Sequence, residues 1–250
     1  MKTIIFTDLD DTLFYSNRAI NTYQKRGVIQ AAEDLSVASL TQDGRPICFS
    51  RPKQRQLIQL LMQADHLIPV TGRASDSLSR VKAPQFNSFR VCSHGAIVLD
   101  AKQEPLNEWT EVIQNELQSG SQALDLIIKE LEAHAQKTPE LRIKQVYDQA
   151  LYTYISVKGP ETLVDELAQS IKPLWTHGKI HHNQRNLAIL PSYSDKARAV
   201  EFLINYFRQM SNEPLLFIGL GDSVSDLGFL KLCDFVLTPQ TSQIHELYWP

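Results

Sequence analysis

Thr3-Ile4-Ile5-Phe6-Thr7-Asp8-Leu9-Asp10-Asp11-Thr12 runs from short, β-prone, mostly apolar residues straight into a cluster of acids. A continuous apolar run of this length predicts a buried strand over Thr3 to Thr7, with functional groups at its carboxyl end. Two carboxylates at i and i+2 past a strand end, Asp8 and Asp10, can face one pocket. One can attack a phosphorus atom while the other donates a proton to the leaving oxygen and then activates water. An acidic loop or helix cap reads the same way in isolation, so the meaning of this stretch depends on the rest of the chain.

Working outward, Ser36 to Phe49 predicts a hairpin around Gln42-Asp43-Gly44-Arg45. Pro52 opens a helix with Leu57, Leu60 and Leu61 on one face. His66 to Val70 predicts a second strand ending at Thr71-Gly72-Arg73. Short strands over Phe89 to Val91 and Ala96 to Leu99 flank Ser93-His94-Gly95. This alternation predicts a mostly parallel α/β sheet. After about Leu99 the pattern changes to a helix over Ser121 to Gln136, strands over Leu141 to Tyr147 and Leu151 to Val157, a helix over Pro160 to Ile171, and strands over Trp175 to His182 and Asn186 to Leu190. The first pattern then resumes, with Ser194 capping a helix that starts at Asp195 and a strand over Leu215 to Ile218. The expected division is a Rossmann-like parallel-sheet core domain from residues 1–100 and 191–250, with an inserted α+β (αββαββ) cap domain from residues 101–190.

Three further motifs fall where a parallel sheet places functional groups, past the carboxyl ends of its strands. The Thr71 hydroxyl and nearby backbone N–H groups can hold a phosphoryl oxygen, with Gly72 permitting close approach. Lys196, near a helix start, can neutralise charge on a nucleophile and a phosphoryl group. Gly219-Leu220-Gly221-Asp222-Ser223-Val224-Ser225-Asp226 places two acids four apart after a strand. Such oxygens suit Mg²⁺, with Asp8, the Asp10 backbone carbonyl and Asp222 as candidate ligands and Asp226 orienting Lys196 or a metal-bound water. An acid at Asp226 also fits a helix N-terminus.

In order and spacing these four motifs resemble those of the haloacid dehalogenase (HAD) superfamily: DxDx[TV], a Thr or Ser at the next strand end, a Lys, and GDxxxD. The resemblance covers nearly the whole chain. It implies Asp8 as nucleophile, Asp10 as acid/base, Thr71, Gly72 and Lys196 as phosphate binders, and Asp222 as a metal ligand. The insertion looks like a cap of the C2B type. The tail GLGDSxxD and Ser93-His94-Gly95-Ala96 look most like sucrose-phosphatase and Cof-like sugar-phosphate phosphatases. The implied function is a Mg²⁺-dependent phosphomonoesterase acting on a sugar phosphate; a sugar phosphomutase or a non-catalytic phosphate-binding module are the alternatives. The chain departs from the pattern at Ser225 and His94, where relatives commonly carry Asn, and in the long Tyr15 to Ser50 stretch, expected to form a flap over the site.

Composition narrows the partners. A formal net charge of -3 gives no reason to expect nucleic acid or an anionic membrane. No stretch approaches the roughly 20 apolar residues of a membrane span, and the amino-terminal stretch does not resemble a secretory signal. Cys48, Cys92 and Cys233 lie outside any CxxC spacing and read as buried, reduced thiols. The expected setting is cytoplasmic, as a monomer or weak dimer acting on a small phosphorylated metabolite. His177, His181 and His182 lack acidic or Cys partners at ligand spacing; Trp109, Trp175 and Trp249 read as packing residues. Selection of the leaving group is expected from cap residues such as Tyr152, Tyr154, His181 and Arg185.

Overall fold

The computed structural model describes residues 1–30, 33–183 and 185–248, so Trp249 lies outside the described residues. Along the chain, β1 (Lys2–Thr7), β2 (Tyr15–Ser16) and α1 (Asn17–Lys25) precede the hairpin of β3 (Ser36–Leu40) and β4 (Pro46–Ser50). Then come α2 (Pro52–Leu61), β5 (His66–Pro69), α3 (Ser75–Ser79), β6 (Arg90–Cys92) and β7 (Ile97–Leu99). The long α4 (Asn107–Lys137) leads into β8 (Arg142–Asp148), β9 (Leu151–Lys158), α5 (Glu161–Ile171), β10 (Gly178–Asn183) and β11 (Asn186–Pro191). The chain closes with α6 (Lys196–Met210), β12 (Leu215–Leu220), α7 (Leu227–Leu230), β13 (Phe235–Leu237) and α8 (Gln243–Tyr248).

The core sheet has the order β13-β12-β1-β5 and is parallel at every pairing. β1 is central, with Thr7 opposite Leu220 on one side and Pro69 on the other. Ile4, Ile5 and Phe6 are buried because both faces of such a strand are covered, which is why the run is continuously apolar rather than alternating. All four strands release their chains at the same edge of the sheet, so Asp8, Thr71 and Asp222 leave it together. The second sheet, β10-β11-β9-β8, is antiparallel at every pairing. Leu124, Ile127 and Leu131 of α4 and Val164, Leu167 and Ile171 of α5 are buried in one hydrophobic cluster with Ile155, Val157, Leu187 and Ile189. The fold is therefore an α/β core with an inserted α+β cap.

Several local expectations change. α4 starts at Asn107, well before Ser121, because Trp109 and Ile113 extend its buried stripe across Gly120, where the local helix preference is weak. In α2 the buried positions are Gln54, Ile58 and Leu61, while Leu60 is exposed. Asp195, not Ser194, caps α6 by accepting from the Ala197 N–H at 2.9 Å. Ser194 instead donates its hydroxyl to the Thr153 carbonyl. Trp175 precedes its strand, buried, with Nε1 donating to the Leu190 carbonyl at 3.2 Å. Cys48 and Cys92 are buried free thiols, but Cys233 is half-buried. The segment after Tyr15 forms its own sheet, β2-β4-β3, over a small cluster of Tyr15, Ile20 and Ile29. Among the described residues, no helix is long and apolar enough to cross a membrane.

The α2 face is open to a direct check by chemical denaturation. Ile58→Ala should cost about 2–5 kcal/mol of unfolding free energy, whereas Leu60→Ala should stay within about 0.5 kcal/mol of wild type.

Candidate active site

Asp8 follows the last residue of β1, and its own N–H donates to the Leu220 carbonyl at 2.8 Å, fixing it between two strand ends. Its carboxylate is almost fully buried and held on both oxygens. Lys196 Nζ donates to Oδ1 at 2.7 Å, and the Thr12 hydroxyl lies 3.3 Å from Oδ2. The chain turns back over Leu9, whose carbonyl accepts from the Thr12 and Leu13 N–H groups. Asp11 makes this turn possible by taking φ 62°, which Asp tolerates better than most residues. The turn also brings Thr12 Oγ1 within 3.3 Å of Asp222 Oδ1, so one hydroxyl sits between two carboxylates.

Lys196 is the first residue of α6 and is buried. Its ammonium bridges Asp8 Oδ1 and Asp226 Oδ1, both at 2.7 Å. Burial works against that charge, but Asp226 and Asp8 outweigh it and hold the ammonium above the ordinary lysine range. Asp226 is fully buried and saturated: Oδ2 accepts from the Ser223 hydroxyl at 2.9 Å and from the Ser223 and Asp222 N–H groups at 3.1 and 3.3 Å. Ser225 reaches Ser223 hydroxyl to hydroxyl at 2.7 Å and so supports Asp226 indirectly.

Asp8, Asp222 and Asp226 each present an oxygen within 4.8 Å of the others. Burial, then the neighbouring carboxylates, pushes Asp222 up to about 8. Asp8 is pushed up to about 7 by burial, with Lys196 pulling it back. One ammonium among three carboxylates leaves an excess of negative charge, and the donors are all hard oxygens, so the cluster fits Mg²⁺. Asp226 is spent on Lys196 and the backbone, which leaves Asp8 and Asp222 to face a cation.

Asp10 is engaged differently. Arg73 grips its carboxylate with Nε to Oδ2 at 2.7 Å and Nη2 to Oδ1 at 2.6 Å. Arg73 in turn donates to Ser39 Oγ at 2.9 Å and Cys48 Sγ at 3.1 Å, both on the β3–β4 hairpin. The extra segment thus reaches the site by buttressing Arg73. In the sequence Arg73 reads only as part of a turn; its position right after a strand-end Gly is visible, but its partner is not. Thr71 is buried, accepting the Arg73 N–H on Oγ1 at 3.1 Å and the His94 N–H on its carbonyl at 3.0 Å. Gly72 lies under the His94 ring, where a Cβ would come within 2.5 Å of it.

Next to Lys196 opens a cavity of about 590 Å³ whose lining includes His94, Lys179, His181, Ser194 and Asp195. Burial, then Lys196 and His181, drives His94 down to about 3, and burial also lowers His181, so both rings are neutral near pH 7. Tyr154 stands edge-on to His94 with centroids 5.0 Å apart. Lys179 of β10 pairs with Asp195 at 2.5 Å across the cavity mouth. Of the four cap residues expected to select substrate, His181 lines this cavity and Tyr154 reaches it only by packing against His94. Tyr152 is buried against Tyr147, and Arg185 donates to the Gly159 carbonyl. His182 pairs with Asp165 at 3.0 Å and His177 packs near Trp175; among the described residues the histidines form no metal-ligand group.

A family model for sucrose-6F-phosphate phosphohydrolase matches residues 1–235. No protein of curated function matches the chain in sequence. Among solved structures, the chain is similar to the sucrose-phosphatase of Synechocystis sp. PCC6803 in complex with sucrose and phosphate, at 17% identity over 99% of this chain and 86% of that one, TM-score 0.57. It is also similar to a trehalose-6-phosphate phosphatase related protein, at 18% identity over 94% and 84%, TM-score 0.53. A phosphatase of the haloalkanoate (HAD) superfamily from Bacteroides thetaiotaomicron gives 11% identity over 99% and 94%, TM-score 0.55. At these identities the structural likeness establishes the fold, and the family model carries the assignment. The chain belongs to the sucrose-6F-phosphate phosphohydrolase family, phosphoric monoester hydrolases of the HAD superfamily.

Proposed function

We propose that this protein hydrolyses the phosphate monoester of a sugar through an aspartyl-phosphate on Asp8, with Mg²⁺ as cofactor. The division into a core of residues 1–100 and 191–250 and a cap of residues 101–190 is part of the same reading. The observation that carries it is the buried Asp8–Lys196–Asp226 bridge with Asp222 alongside. A module that only binds phosphate has no use for a carboxylate at its centre, because that charge repels the ligand.

In the first step an Asp8 oxygen attacks phosphorus in line with the ester oxygen. The bond from phosphorus to the ester oxygen breaks, and Asp10 gives that oxygen its proton. In the second, Asp10 takes a proton from water, whose oxygen attacks phosphorus and releases Asp8 as a carboxylate. Lys196 balances the developing charge, and the Thr71 hydroxyl hydrogen with the Gly72 region holds a phosphoryl oxygen. Mg²⁺, held by Asp8, Asp222 and the Asp10 carbonyl, supplies further charge neutralisation when bound. The cavity beside Lys196 takes the sugar, with neutral His94 and His181 offering hydrogen bonds to hydroxyls. Its volume of about 590 Å³ is in the ordinary range for a small-molecule site. The substrate is taken to be a small phosphorylated metabolite in the cytoplasm, with a disaccharide phosphate the first to try.

Phosphate release from a panel of sugar phosphates, with Mg²⁺ or EDTA, tests this directly. Asp8→Asn should lower kcat by at least about a thousandfold with substrate binding retained. Release that persists in Asp8→Asn would sink the nucleophile assignment, and transfer of phosphate between sugars without release would make the enzyme a mutase. Asp222→Asn should raise the Mg²⁺ concentration for half-maximal rate at least about tenfold; an unchanged requirement would remove Asp222 from the metal site. His94 gives a pH signature in stability. Its folded pKa is depressed to about 3 from 6.5, so between those values the unfolded chain binds the extra proton and stability falls as pH falls. His94→Asn should flatten that slope by up to about 1.4 kcal/mol per pH unit in urea titrations run from pH 7 to 4.

A further inference from the structure

We propose that Asp148, at the tip of the β8–β9 hairpin of the cap, is a positioning residue that seats the hairpin on the core and, through Ser93, holds the His94 ring in the wall of the substrate cavity. The consequence for catalysis rests on the phosphatase reading above; the structural coupling does not.

Asp148 is buried, yet among the described residues it makes no salt bridge. Its carboxylate is satisfied by donors from the core. Oδ2 accepts from the Ser75 N–H at 2.8 Å and the Ser93 hydroxyl at 2.7 Å, and Oδ1 accepts from the Ser75 hydroxyl. The neighbouring Gln149 adds an Nε2 donor to Ser75 Oγ at 3.0 Å. A hairpin tip that only needed solubility would not bury an acid, because an ionised carboxylate away from water is costly unless donors replace its hydration. These donors come from two separate core segments, so they define where the tip can sit.

The segment that Asp148 grips is unusual. Ser93, His94 and Gly95 follow one another with φ of 48, 58 and 99°. Two consecutive side-chain-bearing residues in the left-handed region are strained, and such strain persists only where the surroundings over-determine it. Here the ties are many. The Ser93 N–H donates to the Arg73 carbonyl at 2.8 Å and the His94 N–H to the Thr71 carbonyl at 3.0 Å. Trp109 Nε1 donates to the Gly95 carbonyl at 3.0 Å. A Cβ at Gly95 would come within 2.3 Å of the Asp195 carbonyl and 2.9 Å of the Lys196 nitrogen, so the turn is pressed against the start of α6. Thr71, Arg73 and Lys196 therefore all touch one short turn, and Trp109 and Asp148 hold it from the cap side.

The same hairpin also supplies Tyr154, edge-on to the His94 ring. Docking the tip and backing the His94 ring with Tyr154 are thus one event. Lose the Asp148 hydrogen bonds and two things loosen together: the hairpin, and the Ser93–His94 turn that sits over Gly72.

Hydrogen–deuterium exchange on the full chain, combined with kinetics, tests this with Asp148→Ala, Asp148→Asn, Ser93→Ala and Gln149→Ala. In Asp148→Ala the amides of Ser93 and His94 should exchange about tenfold faster, together with the hairpin tip, while α2 and α6 keep wild-type rates. Asp148→Asn should stay near wild type, because its amide oxygen accepts from the Ser75 N–H and Ser93 hydroxyl while its N–H₂ donates to Ser75 Oγ. Ser93→Ala removes one tie and should move exchange in the same direction by less; Gln149→Ala should not move it at Ser93 and His94. On a sugar phosphate, KM should rise about tenfold in Asp148→Ala, whereas kcat for p-nitrophenyl phosphate, too small to span the wall, should stay within about twofold. Wild-type exchange at Ser93 and His94 in both Asp148→Ala and Ser93→Ala overturns the coupling, as does an equal loss on both substrates or an Asn variant as damaged as the Ala one. A wild-type protein that releases no phosphate from any sugar phosphate counts against the phosphatase reading alone, and the exchange rates then decide the coupling.

Discussion

A buried ammonium between two carboxylates is the constraint around which this molecule is arranged. Lys196 reaches Asp8 from one end of a helix and Asp226 from a turn after the neighbouring strand, so three chain segments have to meet at one point. A buried charge that loses its partner costs roughly 3–5 kcal/mol, and here every partner is shared. Removing Asp226 would leave Lys196 with Asp8 alone, and removing Lys196 would leave Asp8 and Asp226 repelling each other next to Asp222. Even intact, the cluster carries more carboxylates than cations, and burial together with those neighbouring carboxylates pushes Asp8 and Asp222 up to about 7 and about 8. A divalent cation that binds the folded protein would relieve that excess and stabilise the fold by mass action.

The core sheet is the frame that makes this meeting possible. With β1 in the middle, Asp8 emerges between the strand ends that carry Asp222 and Thr71. A central parallel strand is apolar on both faces and tightly packed, so the position of its last residue is defined far better than that of a loop. The candidate ligands and the candidate nucleophile gain their precision from this packing. The cavity wall does not, because it combines core residues with residues of the second sheet.

This difference explains how much can be read from the amino-acid order alone. Asp8, Asp10, Thr71, Lys196 and Asp222 are legible because each follows a recognisable strand or opens a recognisable helix, and short-range patterns fix those boundaries. The parallel core and the αββαββ insertion follow from the same periodicities. Contacts between distant segments leave no such trace. Nothing local marks Arg73 as the partner of Asp10, or Ser39 and Cys48 as the supports of Arg73 across 34 and 25 residues of sequence. One position of the α2 face is misread: Leu61 is buried and Leu57 packs against the core, but Leu60, which looks like them in a helical projection, is exposed, while tertiary packing adds Ile58 and a polar residue, Gln54, whose amide reaches the Thr12 carbonyl at 3.3 Å. Asp148 is a hairpin residue of the type any turn favours; only the fold reveals what it grips.

The Arg73–Asp10 pair sets a condition on the proposed chemistry. A bidentate guanidinium occupies both oxygens of Asp10, yet the proposed first step needs one of them to face the leaving oxygen. If Asp10 is the acid of the proposed mechanism, the pairing is a resting arrangement that has to open before Asp10 can act. Substrate provides a reason for it to do so. An arriving phosphoryl group would bring negative charge to the same small volume and offer Arg73 an alternative anion. Exchange of one anion for another on Arg73 would free Asp10 only when a phosphate is present, so water would meet an armed general acid only with substrate in place. Because Arg73 rests on Ser39 and Cys48, the extra β3–β4 hairpin would fix where that exchange happens, which would give the long Tyr15 to Ser50 segment a physical task.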